Sequence, residues 1–224
     1  MQPYFLPYIG YWQLINAVDR FVVYDDVQYI KGGWINRNNI IVNGQKHLIN
    51  LLLKGASSNK LINEIEIQEN QNKLIRTVEL NYKKTRNFNK VYLEFVKIME
   101  FENKNLGEFL KNSIQLLSDY LLIDTEIVLS SDIDKNEELT GKDKVIALCK
   151  ELNATHYINA IGGQELYNKN DFAKEGIQLS FIKTQAIEYK QFNNEFIPNL
   201  SIIDVLMFNS VEEIKEILDK YELV

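Results

Sequence analysis

The sequence is poor in the residue types that most often carry chemistry. It holds one cysteine, two histidines, two tryptophans and three prolines in 224 residues. A single cysteine excludes an internal disulfide framework, and no Cys/His cluster has the spacing of a metal site, so no metal is expected. Cys149 lies in KVIALCKEL, on the apolar face of a predicted helix, where a buried structural thiol is the expected reading rather than a nucleophile. There is no Gly-x-Ser-x-Gly elbow, no P-loop and no Ser-His-Asp order. No apolar run approaches the ~18 residues of a membrane span. No basic region leads into an apolar run at the start, so no signal peptide is expected and the cytoplasm is the predicted compartment. A net charge of −6 argues against a nucleic-acid partner, which needs a basic surface. Local basic spots such as Lys83, Lys84 and Arg86 read equally as a solvated helix end.

What is present is a globular composition, 46% hydrophobic and 25% charged. Residues 10–18 have helical spacing of Trp12, Leu14, Ile15 and Val18, and RFVVY (20–24) is a short strand. NIIVNGQKHLINLLL reads as a β-hairpin about Asn43-Gly44, and LINEIEIQ alternates as a strand. Residues 70–122 change character to three helical segments, with Asn70 and Asn87 as caps. TEIVLSS, HYINAIGG and IQLSFIK read as strands, DKVIALCKEL as a helix, and SVEEIKEILDKY as a terminal helix with a Ser210/Glu213 capping box. The expectation is a single α/β domain over 1–224. It has a Rossmann-like sheet with helices on both faces, a core of 1–69 and 123–224, a helical insertion at 70–122 and a β-hairpin.

Four polar-aromatic constellations stand out. The first is MQPYFLPYIGYWQLI, where Pro3 and Pro7 bias Gln2 and Leu6 toward extended geometry and Gly10 opens a helix whose free N–H groups attract anions. Tyr8-x-Gly10-Tyr11 resembles the His-x-Gly-His turn of the nucleotidylyl-transferase superfamily, with tyrosines in place of the histidines. The competing reading is an aromatic plug over a sheet edge. The second is DDVQYIKGGWINRN, in which Arg37 is suited to bidentate anion contact and Trp34 to stacking. The third is HYINAIGGQELY, whose Gly162-Gly163 pair follows a strand end, where ligands bind in open α/β sheets. The fourth is FIPNLSIIDVLMFNS, where Ser201 and Asp204 also fit a helix cap with an acid in the first turn. Ser130-Ser131-Asp132 ends a strand, and of its two readings, a phosphate contact or a turn and cap, the turn and cap is favoured.

Taken in order, QPYFLPYIGYWQLI, VYDDVQYIKGGWINRNNI, ATHYINAIGGQELY and FIPNLSIIDVLMFNS resemble the WbqC-like proteins across nearly the whole chain. Members usually carry a short apolar strand just before this Gln-Pro, a position that here falls ahead of Met1. The resemblance implies a role in O-antigen, capsule or other surface-glycan synthesis. In that reading an aminoacyl group such as glycyl, or another acyl group, is attached to the amine of a nucleotide-linked amino sugar. ATP with magnesium is an optional requirement, by analogy with pantothenate synthetase, which has the related turn and adenylates a carboxylate before an amine attacks. The expected partners are thus a nucleotide-linked amino sugar and a small amino acid. Gln2, Tyr4, Tyr8, Gly10 and Tyr11 would line the nucleotide or phosphate site. Gln28, Trp34, Asn36, Arg37 and Asn38 would hold the sugar, and Asn159, Gly163 and Tyr167 would close the pocket, with Ser201 and Asp204 as further binding candidates. Asp25, Asp26 and His47 are the candidate bases. Two alternatives stay open: a sugar-nucleotide transferase that uses no ATP, and a non-catalytic binding protein of glycan assembly.

Overall fold

The computed structural model describes residues 1–136, 138–192 and 195–224. The chain folds as a mixed α/β structure with eight α-helices and nine strands among the described residues. Residues 1–8 are irregular and lead into α1 (Ile9–Asn16), β1 (Arg20–Val23), the hairpin β2 (Arg37–Val42) and β3 (Gln45–Asn50), and the short pair β4 (Leu53–Lys54) and β5 (Glu66–Ile67). The hairpin turns at Asn43 and Gly44 with φ of 50° and 75°, the paired positive values that a type I′ turn requires. LINEIEIQ is mostly not a strand. Ile62–Glu64 is a 3-10 turn, because the Glu64 carboxylate accepts from the Leu61 N–H at 2.8 Å and draws the chain round.

Three amphipathic helices follow: α2 (Asn72–Tyr82), α3 (Phe88–Met99) and α4 (Leu106–Leu121). Each buries a stripe at helical spacing, such as Leu74, Val78 and Tyr82 on α2. Asn87 precedes α3, but its side chain donates to the Leu206 and Asn209 carbonyls instead of capping the helix. Then come β6 (Glu126–Leu129), α5 (Gly141–Glu151), β7 (His156–Ala160), α6 (Lys169–Ala173), β8 (Gln178–Thr184), α7 (Ile202–Phe208), α8 (Val211–Leu218) and β9 (Tyr221–Leu223). The capping box of α8 is present: Ser210 accepts from Glu213 N, and Glu213 accepts from Ser210 N at 2.6 Å. The last residues leave the helix and pair antiparallel with β8 as β9.

The strands form small sheets rather than one. β1 pairs with β6 in parallel, and β7, β8 and β9 form a second sheet in which β7 and β8 are parallel. An open cleft separates β1 from β7, so the expected continuous Rossmann-like sheet is interrupted there.

A polar knot ties the far side of the fold. Asp204, on α7, is fully buried and accepts from Tyr82 Oη (2.7 Å), Tyr189 Oη (2.7 Å) and Gln191 Nε2 (3.0 Å). Tyr82 Oη also accepts from Ile41 N at 2.9 Å, so one hydroxyl links α2, β2 and α7. Burial pushes the Asp204 carboxyl up, although its three donors oppose the shift. Tyr82→Phe removes a donor from a buried carboxylate and orphans the Ile41 N–H. Urea unfolding should show a loss of ~2–4 kcal/mol, and a loss below ~0.5 kcal/mol would show that the knot is dispensable.

Candidate functional site

The opening turn is positioned by its carbonyls. Leu6 is fully buried and has φ of 47°, the left-handed region, not the extended geometry expected before Pro7. Its carbonyl accepts from Ser201 Oγ (2.9 Å) and from the Asn38 amide, which also donates to the Phe5 carbonyl at 3.1 Å. Trp12 Nε1 donates to the Pro7 carbonyl at 3.1 Å, and Phe5 N donates to Ile35 O at 3.0 Å. Asn38 and Ser201 therefore anchor this loop from below, and Ser201 also caps α7 through the Ile203 N–H. Asp204 sits in the buried knot, and Asn36 accepts from Tyr29 Oη and donates to the Leu51 carbonyl.

Above the anchor lies an aromatic surface. Tyr4 contacts Tyr8 (6.4 Å between ring centroids), Tyr11 (6.1 Å) and Trp34 (5.9 Å). Trp34 is 47% exposed, and the Arg37 guanidinium lies over its ring at 5.5 Å while its Nε donates to the Gly33 carbonyl. Tyr11 is buried and donates to the Gln2 carbonyl at 3.0 Å, and burial pushes its hydroxyl far up. The Tyr8 ring covers Gly10: a Cβ there would stand 2.5 Å from that ring and 2.7 Å from Thr184 Oγ1 at the end of β8. Gln28 is exposed and bridges to Leu61.

Beside this surface is the cleft between β1 and β7, of about 890 Å³. Its mouth brings together Gln2, Asn159, Gly163 and Tyr167, which the sequence had marked, with Tyr24 and Tyr157, which it had not. Gly163 leaves room for Asn159: a Cβ would lie 2.6 Å from Asn159 Nδ2 and displace that side chain. The lining polar groups are mainly amides and hydroxyls, a set that fits sugar and nucleotide hydroxyls. Burial pushes the thiol of Cys149, which also lines the cleft, up to about 11.

None of the three candidate bases lines that cleft. Asp25 is buried and accepts from Ser131 N (3.0 Å) and Ser131 Oγ (2.7 Å). Asp26 is paired with the buried ammonium groups of Lys135 (2.8 Å) and Lys144 (3.1 Å). Burial works to raise its carboxyl, but hydrogen bonds from Lys135, Ser130 and Lys144 outweigh that and hold it below the usual range. Lys144 also lies over the Tyr24 ring at 5.4 Å. These lysines gave no sequence signal, because they stand more than a hundred residues from Asp26. His47 is on the exposed face of the hairpin, beside a shallow groove formed with Gln71, Leu74 and Thr77. Among the described residues no three His, Cys, Asp or Glu side chains converge as a metal site.

The model of the WbqC-like protein family matches residues 2–216. The chain belongs to that family. It is also similar to the uncharacterized protein Rv1507c of Mycobacterium tuberculosis, at 27% identity over 220 residues, covering 93% of this chain and 91% of that one. No solved structure matches it. Among the described residues of this WbqC-like chain no helix is long and apolar enough to cross a membrane.

Asp26 gives a prediction with a defined sign. A carboxyl held low in the fold contributes stability that is present above its unfolded value, near 4, and lost as pH falls through the folded one. Asp26→Asn should cost ~3 kcal/mol at pH 7, because two buried ammonium groups lose their counter-ion. It should also flatten the decline in melting temperature below about pH 4. An unchanged acid limb would show that Asp26 is not the titrating group.

Proposed function

We propose that the protein is a surface-polysaccharide biosynthetic enzyme that attaches an aminoacyl group, such as glycyl, or another acyl group, to the amine of a nucleotide-linked amino sugar. The observation that carries the reading is the adjacency of two surfaces: Tyr11 packs against Tyr4 and donates to the carbonyl of Gln2, which lines the cleft. Tyr4, Tyr8, Trp34 and Arg37 offer stacking faces and a cation, and Gln2, Asn159, Tyr24 and Tyr167 offer amides and hydroxyls. A nucleotide sugar needs both: a base or ring to stack, a diphosphate to attract a guanidinium, and hydroxyls to pair. The mouth also lies at the carboxyl end of β7, where open α/β sheets place ligands. Membership of the WbqC-like family supports the assignment to glycan synthesis.

Amide formation from a free carboxylate needs activation. With ATP, a carboxylate oxygen attacks the α-phosphorus and pyrophosphate leaves. The sugar amine then attacks the acyl carbon, loses a proton and expels AMP. Magnesium would arrive on the nucleotide's own phosphates. The chain's contribution is orientation: Trp34 and Tyr4 hold a ring, Arg37 faces the phosphates, and the amides of Gln2 and Asn159 position the amino sugar.

The engagement of Asp25 by Ser131 and of Asp26 by two lysines favours a second reading, a binding protein of glycan assembly without its own chemistry. Two measurements separate the readings. Calorimetric titration with uridine-, guanosine- and thymidine-diphosphate amino sugars should show binding by at least one. Adding ATP and glycine should then release AMP and add one glycyl residue to the sugar by mass. Binding without product selects the second reading, and no binding of any nucleotide sugar overturns both. Trp34→Ala should weaken the productive ligand about tenfold or more, as loss of one stacking partner does. Gly163→Ala should weaken it comparably by displacing Asn159, with the melting temperature nearly unchanged.

A further inference from the structure

Charge is unevenly spread along the chain. Residues 27–63 carry Lys31, Arg37, Lys46, Lys54 and Lys60 and not one aspartate or glutamate, in a protein whose net charge is −6. This stretch holds the hairpin of β2 and β3 with the loops on either side of it. A basic lobe on an acidic protein turns that lobe toward an anionic partner, because the field attracts there and repels elsewhere. Lys54 pairs with Glu66 at 3.1 Å, whereas Lys31, Lys46 and Lys60 form no ion pair among the described residues.

The outer row of β3 is apolar where it should be polar. β2 and β3 pair Arg37 with Asn50, Asn39 with Leu48 and Ile41 with Lys46, so Lys46, Leu48 and Asn50 share one face of the ribbon. Leu51 N donates to the Asn36 carbonyl at 2.8 Å, which extends the ladder and places Leu52 next in the same row. An antiparallel ribbon packed on one side turns polar residues outward. Here Ile49 and Leu51 are buried, yet Leu48 and Leu52 are 40% and 44% exposed. Both leucines line a groove of about 160 Å³, which Lys73, Leu74 and Thr77 line from α2. Lys46 precedes Leu48 in the row, and Lys73, exposed and without an ion pair among the described residues, adds a second ammonium beside the leucines.

We propose that this face of the hairpin docks on an anionic lipid surface, with Leu48 and Leu52 set below the headgroups and Lys46 and Lys73 on their phosphates. Both side-chain types fit that occupant. Ammonium groups gain from a negatively charged interface, and aliphatic side chains gain where an apolar phase begins within ~5–10 Å of it. A nucleic acid, whose bases stack on aromatic rings, would use the cations and leave the leucines in water. The row from Lys46 to Leu52 is about 20 Å long, so it lies along a surface rather than piercing one. The docking face is separate from the nucleotide-sugar site: Lys46, Leu48, Leu52 and Lys73 neither line the cleft nor belong to the aromatic surface.

Vesicle co-sedimentation of the whole chain tests the docking. Phosphatidylcholine vesicles with about one-quarter phosphatidylglycerol should bind it roughly tenfold or more tightly than phosphatidylcholine alone, and about 0.5 M salt should remove most of that difference. Leu48→Ser with Leu52→Ser, and separately Lys46→Glu with Lys73→Glu, should each weaken binding about tenfold or more with the melting temperature nearly unchanged. Lys215→Glu, on α8, should leave it as it was. No preference for the anionic vesicles overturns the proposal. So does binding that survives the leucine changes, or equal binding of a single-stranded polynucleotide, since either marks a general polyanion surface. Self-association of the protein alone that the lysine changes abolish also overturns it, because the face then belongs to a second copy. If the leucine pair melts lower, the lysine pair decides, since it leaves the core untouched: unchanged vesicle binding overturns the docking, and lost binding supports it.

Discussion

The site side of the molecule depends on how a buried loop satisfies its carbonyls. Residues 1–8 form no helix or strand, yet Phe5 and Leu6 are fully buried, so their peptide groups cannot turn to water. Asn38, Ser201 and Trp12 supply the donors for Phe5, Leu6 and Pro7. Left-handed geometry at a leucine costs about 1–2 kcal/mol, and it persists because donors from β2 and from the start of α7 meet the Leu6 carbonyl together. The strain is stored where the chain must bend to place Gln2 at the cleft and the Tyr4 and Tyr8 rings beside Trp34.

That constraint sorts the polar residues into two levels. The lower level is internal: Asn38, Ser201 and Asp204 are buried and fully engaged within the protein. The upper level, with Tyr4, Tyr8, Trp34 and Arg37 on one side and Gln2, Asn159, Gly163 and Tyr167 on the other, faces solvent or the cleft. The ion cluster of Asp26 with Lys135 and Lys144 belongs to the lower level and braces the ends of β1 and β6. A substitution in the lower level acts on binding through the position of the loop, and one in the upper level acts by contact.

The sequence made the local structure legible wherever a short pattern decides it. The Asn43-Gly44 hairpin, the helical stripes of 72–121 and the Ser210/Glu213 box follow from neighbours within four residues. Trp34 was readable as a surface aromatic because its loop is otherwise polar. What stayed hidden depends on distant partners. Leu6 escapes the preference imposed by Pro7 because Ser201, 195 residues away, holds its carbonyl. Asn38 and Ser201 have the composition of ligand contacts, and only the folded chain shows that their ligand is the opening loop. The gap between β1 and β7 was likewise invisible, since strand pattern does not specify which strands become neighbours.

A double-mutant cycle between Asn38→Ala and Ser201→Ala, read by urea unfolding, tests the anchoring of the opening loop most directly. Two donors that hold one strained carbonyl should be coupled, so the paired loss should depart from the sum of the single losses by about 1 kcal/mol or more. Losses that add within ~0.3 kcal/mol would contradict it, because the two side chains would then stabilise the protein independently of Leu6.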